Sequence, residues 1–431
     1  MGLGMAGLKQ KLLAYYGPSS EWKVRAARNL RSLGVGQAVS LFFTFFLNIA
    51  IARFLGKAEF GVYALAVNLQ FILLVLANFG LTGLCIREVA RDTGRCPQYL
   101  SDSLGLRILF TLGASLLMVA VPILIGKPMS VVGILALFAG GFFFMSLADG
   151  LRWVFNAFQA MGYEALVRIL ERTLVLGASV AVLVLGAGLS GVACVYLGSE
   201  LLIFALCALL VGRRFSPVAV SLEGPHCRQM LSQSFYFALS ELFWSVYFQI
   251  DIVMLSAMKG DAPTGLYKAA YVLVNAIGTA PMVFMTVLFP VLSRLYKESP
   301  DEFRHVYRKT LKLFNIVTVP MIVVLFLFAR TIIDFLYSNR FAESGNILRV
   351  LLFALFFLFP TSLFSNLLAS ADRQKKIALV GGLGAALNIG LNLVLIPRWS
   401  YYGASVATVA TEAFIACGLW LQVRSFLKGR S

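Results

Sequence analysis

About twelve times along this chain of 431 residues, some twenty positions pass with few charges. As a helix, each such window is long enough to cross a hydrocarbon layer ~30 Å thick. Inside that layer every backbone polar group needs a partner within the protein, so only helices and closed barrels can span it. No run alternates over ~10 residues, which excludes a barrel. A chain that is 59% hydrophobic and 13% charged also holds far more apolar side chain than one soluble core could hide. The expected fold is an all-α integral membrane protein with spans near 33–52, 61–86, 104–125, 129–148, 166–186, 191–211, 234–258, 265–291, 312–329, 347–369, 377–396 and 403–423.

Charge orients these spans. The net charge of +17 would suit a nucleic acid, but the 37 Lys and Arg residues are not spread evenly. With the N-terminus inside, 26 of them fall on the inner side, seven on the outer side (Arg53 and Lys127 among them) and four within spans. That asymmetry is the positive-inside rule. It predicts a multi-pass protein of the cell (inner or plasma) membrane with both termini cytoplasmic, and no nucleic-acid partner. Met1 to Tyr16 is too short and too basic, with Lys9 and Lys11, for a signal peptide. Residues 1–32 read instead as a cytoplasmic interfacial segment, where EWKVRAARNLR follows the break at Gly17-Pro18 and suits anionic lipid.

The chain repeats itself. FGVYALAVNL at 60–69 aligns with TGLYKAAYVL at 264–273 through Gly61/Gly265, Tyr63/Tyr267, Ala66/Ala270 and Leu69/Leu273, with Gly56/Gly260 just ahead. A weaker match pairs Gly191, Ser199 and Glu200 with Gly403, Thr411 and Glu412. Six spans separate equivalent points, and six is even, so the halves enter the membrane in the same sense as parallel repeats. The expected division is an N-lobe at 33–211, a cytoplasmic linker at 212–233, a C-lobe at 234–425 and a tail at 426–431. In transporters built this way the substrate site lies between the halves.

Intramembrane polar residues fall on helical stripes. Gln37, Ser40, Thr44 and Asn48 share a face of the first span. Ser240, Trp244, Tyr247 and Asp251 do so in the seventh, and Lys268, Asn275, Thr279 and Thr286 in the eighth. A charge at a helix centre costs roughly 2.5–3.5 kcal/mol unless it meets a partner or a cavity. Asp251, Glu241, Glu200 and Glu412 are therefore candidates for binding a cation or proton. Lys268, Arg107 and Arg53 are candidates for an anionic substrate group, with Asn275, Thr279, Asn48 and Tyr247 as its hydrogen-bonding wall. Glu164, Arg168, Glu171 and Arg172 are expected to pair among themselves at the start of the fifth span. Six cysteines without CxxC spacing and two loop histidines, His226 and His305, predict neither a metal site nor a cofactor. No GxxxxGK[ST], GxSxG or HExxH occurs and the outer loops are short, so no enzyme is expected.

Several stretches also resemble a known family. IARFLGKAEFGVYALAV (51–67), RWVFNAFQAMGYEALVRI (152–169), QIDIVMLSAMKGDAPTGLYKAAYVL (249–273), LFPVLSRLY (288–296) and the tail from Leu368 to Phe414 are similar to the polysaccharide transporter, or oligosaccharide flippase, family of the multidrug/oligosaccharidyl-lipid/polysaccharide exporter superfamily. The resemblance implies twelve helices in two six-helix lobes around a central cavity. It implies a flippase that carries polyprenyl-pyrophosphate-linked oligosaccharide from the cytoplasmic to the external leaflet by alternating access, for surface polysaccharide biosynthesis. Lipid-linked oligosaccharide, membrane lipids and the polysaccharide polymerase machinery would be its partners. Lys268 departs from the small or polar residue expected there. A drug/cation antiporter of the same superfamily is the alternative, and a membrane glycan polymerase a third reading.

Overall fold

The computed structural model describes residues 20–428, and within them the chain is helical with no strand. In chain order the helices are α1 (Ser20–Asn78), α2 (Leu81–Arg91), α3 (Cys96–Leu124), α4 (Met129–Ala157), α5 (Met161–Val184), α6 (Gly188–Arg214), α7 (Gly224–Lys259), α8 (Asp261–Glu298), α9 (Pro300–Tyr337), α10 (Ala342–Ser370) and α11 (Gln374–Lys428). Two of these are broken pairs, α1 at Gly56 and α11 at Ser400, where the backbone leaves helical dihedrals. Eight of the described helices are long and apolar enough to cross a membrane, both broken pairs among them. The two remaining long helices, α5 and α7, carry the ionisable residues Glu164, Arg168, Glu171 and Arg172, and Glu241 and Asp251. Counting each arm of the broken pairs, twelve membrane-length segments result.

Why the chain breaks where it does confirms the repeat. Gly56 (φ 80°, ψ −177°) and Gly260 (φ 86°, ψ −173°) adopt the same conformation, one that only glycine takes without strain. Further along, the left-handed backbone positions pair up as Gly126 (φ 74°) with Ser338 (φ 73°), Gln159 (54°) with Asp372 (57°), and Gly188 (63°) with Ser400 (51°). The two halves are thus one design used twice, and the second carries eight more residues between the first and second breaks. The symmetry fails at one point. The first half turns at Phe79 and Gly80, between α1 and α2, whereas the matching stretch of α8 runs on unbroken.

At one end of the molecule α1 and α8 cross backbone to backbone. A Cβ on Gly61 would lie 1.8 Å from the Asp261 carbonyl oxygen, and one on Gly265 would lie 1.9 Å from that of Lys57. Lys57 and Asp261 are themselves repeat mates, so the contact is reciprocal. Without a side chain at either glycine, the helices approach as small residues allow in membranes. Around this crossing Lys127 donates to Asp261 at 2.5 Å and to the Ser256 carbonyl at 3.0 Å. Lys259 donates to the Pro397 carbonyl at 2.7 Å.

At the opposite end the non-helical residues 215–223 join the lobes. They lie against α3: the Ser221 amide donates to the Ser101 carbonyl at 3.1 Å, and the Ser221 carbonyl sits where a Cβ on Gly105 would be. Buried Asp102 meets His226 Nδ1 at 2.7 Å and the Glu223 amide at 3.3 Å. Helix α7 already begins at Gly224, so the non-helical joint is shorter than the 212–233 stretch read from sequence. Most of the basic N-terminal stretch lies outside the described residues. Its described part, from Ser20 on, is the first stretch of α1 itself.

Candidate functional site

Three groups of polar residues lie within the helices. The first is the α8 stripe. Lys268 follows Gly265 by three positions, Asn275 by ten and Thr279 by fourteen, which at 100° per residue sets all three on the side that α8 turns to α1 at the crossing. Lys268 is half-buried and stands seven residues, ~10 Å, inside the helix start. Among the described residues it has no hydrogen-bond or ion-pair partner. Asn275 is exposed and Thr279 half-buried, its hydroxyl returned to the Ala276 carbonyl at 2.7 Å. The stripe therefore emerges where α8 moves away from the crossing. Thr286 continues it, exposed, with its hydroxyl on the Val283 carbonyl.

The second group is in the interior of the C-lobe. Asp251, 4% exposed, accepts from Asn392 at 2.6 Å on one oxygen, and from Thr408 at 2.7 Å and Tyr267 at 3.2 Å on the other. Asn392 also donates to Asn388 at 3.0 Å. One turn inward along α7, Tyr247 donates its hydroxyl to Glu412. Three helices, α7, α8 and both arms of α11, thus send neutral donors to two buried carboxyl groups. Asp251 and Tyr247 were legible as a stripe, whereas Asn388, Asn392, Thr408 and Tyr267 were not singled out. The i,i+4 asparagines of an otherwise apolar helix were the available signal. Ser240 and Trp244, their companions on that stripe, lie outside the described side chains.

The third group fills the N-lobe. Arg152, at the end of α4, binds Asp149 at 3.0 Å, Glu164 at 2.9 Å and Glu171 at 3.0 Å. Glu164 also holds Arg168 at 2.7 Å, and Glu171 holds Arg172 at 3.1 Å. The acidic and basic residues of α5 do pair with one another, but Arg152 is the hub that sequence spacing did not reveal. Glu200 of α6 is 1% exposed, and neither of its oxygens has a hydrogen-bond partner among the described residues.

The other candidates are tied into the fold. Arg107, 2% exposed, donates to the Ser146 carbonyl at 2.7 Å, to Thr82 at 2.9 Å and to the Asn78 side-chain oxygen. The break at Phe79 and Gly80 lets Asn78 fold over it, and Asn78 in turn reaches exposed Glu241 of the other lobe at 3.5 Å. Arg53 donates to the Phe335 carbonyl at the crossing end. Buried Asn48 donates to the Thr44 carbonyl at 2.7 Å. Gln37 accepts from Arg168 at 3.3 Å. Of the three cations proposed from sequence, Lys268 alone keeps its charge unengaged among the described residues.

Comparison with known proteins places this arrangement. The family described as polysaccharide biosynthesis protein matches residues 26–296, and the lipid II flippase MurJ family matches residues 220–429. A probable low-salt glycan biosynthesis flippase, Agl15, of Haloferax volcanii is 22% identical over 85% of this chain and 77% of its own length. A putative O-antigen transporter of Shigella flexneri is 22% identical over 48% of this chain, which spans only half of that protein. A further curated relative is spanned over 36% of its length. Among solved structures, a lipid II flippase MurJ in an inward closed conformation superposes with a TM-score of 0.76 at 16% identity, covering 91% of this chain and 87% of that one. An inward-facing multidrug resistance MATE family transporter of the MOP superfamily gives 0.70 at 16% identity, covering 94% and 99%. At these identities the structures establish a shared two-lobe transporter fold.

Proposed function

The chain belongs to the polysaccharide biosynthesis protein family, and from that premise we propose that it is a flippase for a polyprenyl-pyrophosphate-linked oligosaccharide. The observation that carries this reading is Lys268, a half-buried cation without a counter-ion among the described residues, at the head of a polar stripe that starts beside the crossing of the two lobes. A pyrophosphate diester carries about two negative charges, and an ammonium held in a low-dielectric site is a natural partner for it. Asn275 and Thr279 continue the same face toward the opposite end, offering hydrogen bonds to sugar hydroxyls. The positive-inside asymmetry makes the linker end cytoplasmic and the crossing end external. On that orientation the anion moves outward, downhill by roughly 4–5 kcal/mol for two charges across 100 mV, so no nucleotide motor is required. Moving the substrate means rocking the lobes about their contact rather than making or breaking covalent bonds. The names of the Haloferax and Shigella relatives support transport of glycans.

The test is flipping by Lys268 variants, read as the fraction of lipid-linked oligosaccharide reaching the outer leaflet of oriented vesicles. Lys268→Ala is expected to slow it roughly tenfold or more, the worth of one charge-assisted hydrogen bond, and Lys268→Arg to retain most of it. Equal, wild-type rates in both variants would return Lys268 to an interfacial anchor and remove the reading's main support. A second reading, drug export driven by cation binding, rests on the buried Asp251 with its ring of neutral donors and on Glu412. It predicts drug-stimulated ion movement that Asp251→Asn abolishes.

A further inference from the structure

The N-lobe contains a carboxyl group that the transport reading does not use. Glu200 and Glu412 are repeat mates, each twelve residues past a left-handed break, at Gly188 and Ser400. Both are buried, but among the described residues Glu412 has a donor, the hydroxyl of Tyr247, and Glu200 has none. In the repeat register Tyr247 corresponds to Phe43, which has no hydroxyl to give. Glu200 therefore sits without a hydrogen bond from any described residue, on either oxygen.

Two arginines stand near enough to act on Glu200, but neither is ion-paired with it among the described residues. From α4, Asp149 and Arg152 act on Glu200, and from α5 Glu171 and Arg172 do. Its own helix adds Tyr196, and α1 adds Gln70, which donates to the Tyr196 hydroxyl at 3.3 Å, and Tyr63, which faces Arg172. Arg152 already serves Asp149, Glu164 and Glu171. Arg172 serves Glu171 through Nη2 at 3.1 Å, while its buried Nε has no hydrogen-bond partner among the described residues. Asp149, Glu164, Glu171 and Glu200 thus face the three guanidinium groups of Arg152, Arg168 and Arg172, and the acid left over is the one with no donor. A carboxylate placed so is kept neutral or finds a cation, and the spare N–H of Arg172 is a ready donor for its ionised form.

We propose that Glu200 is a reversible proton-binding site inside the N-lobe, and that its proton sets the partners of Arg172. With the proton on, Glu200 is neutral and Arg172 keeps its contact with Glu171. When the O–H bond breaks, the proton leaves to bulk water and the new carboxylate accepts the Arg172 Nε–H, drawing α5 and α6 together at this level. The switch would give the lobe a pH-dependent internal geometry, and only its use in transport rests on the function proposed above.

Difference infrared spectra of the full chain in lipid nanodiscs, between acid and alkaline buffer, test it directly. Among the carbonyl stretches of protonated carboxylic acids that appear on acidification, one component at the high-frequency end, that of an acid without a hydrogen bond, should be present in the wild type and missing in Glu200→Gln. It should persist at a shifted frequency in Glu200→Asp, which keeps an ionisable group if the amide variant fails to fold. The same band in wild type and Glu200→Gln, or a Glu200 band that does not respond to pH, would overturn the proposal. Loss of the band on adding Na⁺ at constant pH would overturn the proton assignment in favour of a metal cation. No substrate enters the measurement, so its failure would leave the flippase reading standing, and failure of flipping would leave this site standing.

Discussion

Asp251 shows how much one buried side chain can ask of its surroundings. Its two oxygens are met by Asn392, Thr408 and Tyr267, all neutral donors from segments far apart in sequence. Substituting Asp251→Asn would turn an amide N–H₂ toward those donors. The resulting loss should be about 1–3 kcal/mol, seen as a lower midpoint for thermal unfolding in detergent; an unchanged midpoint would mean that the donors do not depend on the carboxyl. Sequence reading found Asp251 because a short acid deep in an apolar helix has no route to the interface. It did not find the donors, because Asn, Thr and Tyr are unremarkable residues in such helices until the fold brings them to one point. Arg107 is the converse case. Its sequence position made it a substrate candidate, but the turn at Phe79 and Gly80 folds Asn78 and Thr82 onto it, and the one glycine that marks the turn, Gly80, stands inside an apolar run that reads as a continuous span.

Among the helices, the crossing of α1 and α8 sets the relation between the lobes. Gly56, Gly61, Gly260 and Gly265 were visible as repeat-matched glycines, and their spacing carries over directly into two matching breaks, at Gly56 within α1 and at Gly260 between α7 and α8, just ahead of the backbone-to-backbone contact. What the sequence could not show was reciprocity, since Gly61 and Gly265 are each required by the carbonyl of a residue some 200 positions away, while Gly56 and Gly260 are required by their own positive φ. Gly61→Ala places a methyl group on the Asp261 backbone, which cannot yield as a flexible side chain would. It should destabilise by about 1–3 kcal/mol and lengthen the distance between spin labels placed on α1 and α8 near the crossing. An unaltered distance together with unaltered stability would show that the contact is looser than described. The ion pair of Lys127 with Asp261 reinforces the same junction from the side of α3 and α4.

For the whole molecule, two copies of one six-segment design are pinned at one end by the helix crossing and joined at the other by the segment lying on α3. Their interiors have diverged: the C-lobe satisfies its buried acids with neutral donors, while the N-lobe surrounds its acids with arginines and leaves Glu200 over. The spans and the repeat were legible because hydropathy and glycine spacing are local properties. Pairing within α5 was legible for the same reason, but the Arg152 hub that joins it from α4 was not, because it depends on which helix faces which. The central claim, that this scaffold moves a lipid-linked oligosaccharide outward, is tested most directly by locating that lipid in cells lacking the protein. In inside-out and right-side-out vesicles treated with a membrane-impermeant glycosidase, lipid-linked single units should accumulate on the cytoplasmic leaflet and move outward once the protein is restored. Units already on the external leaflet in its absence would contradict the account and assign the step to another protein.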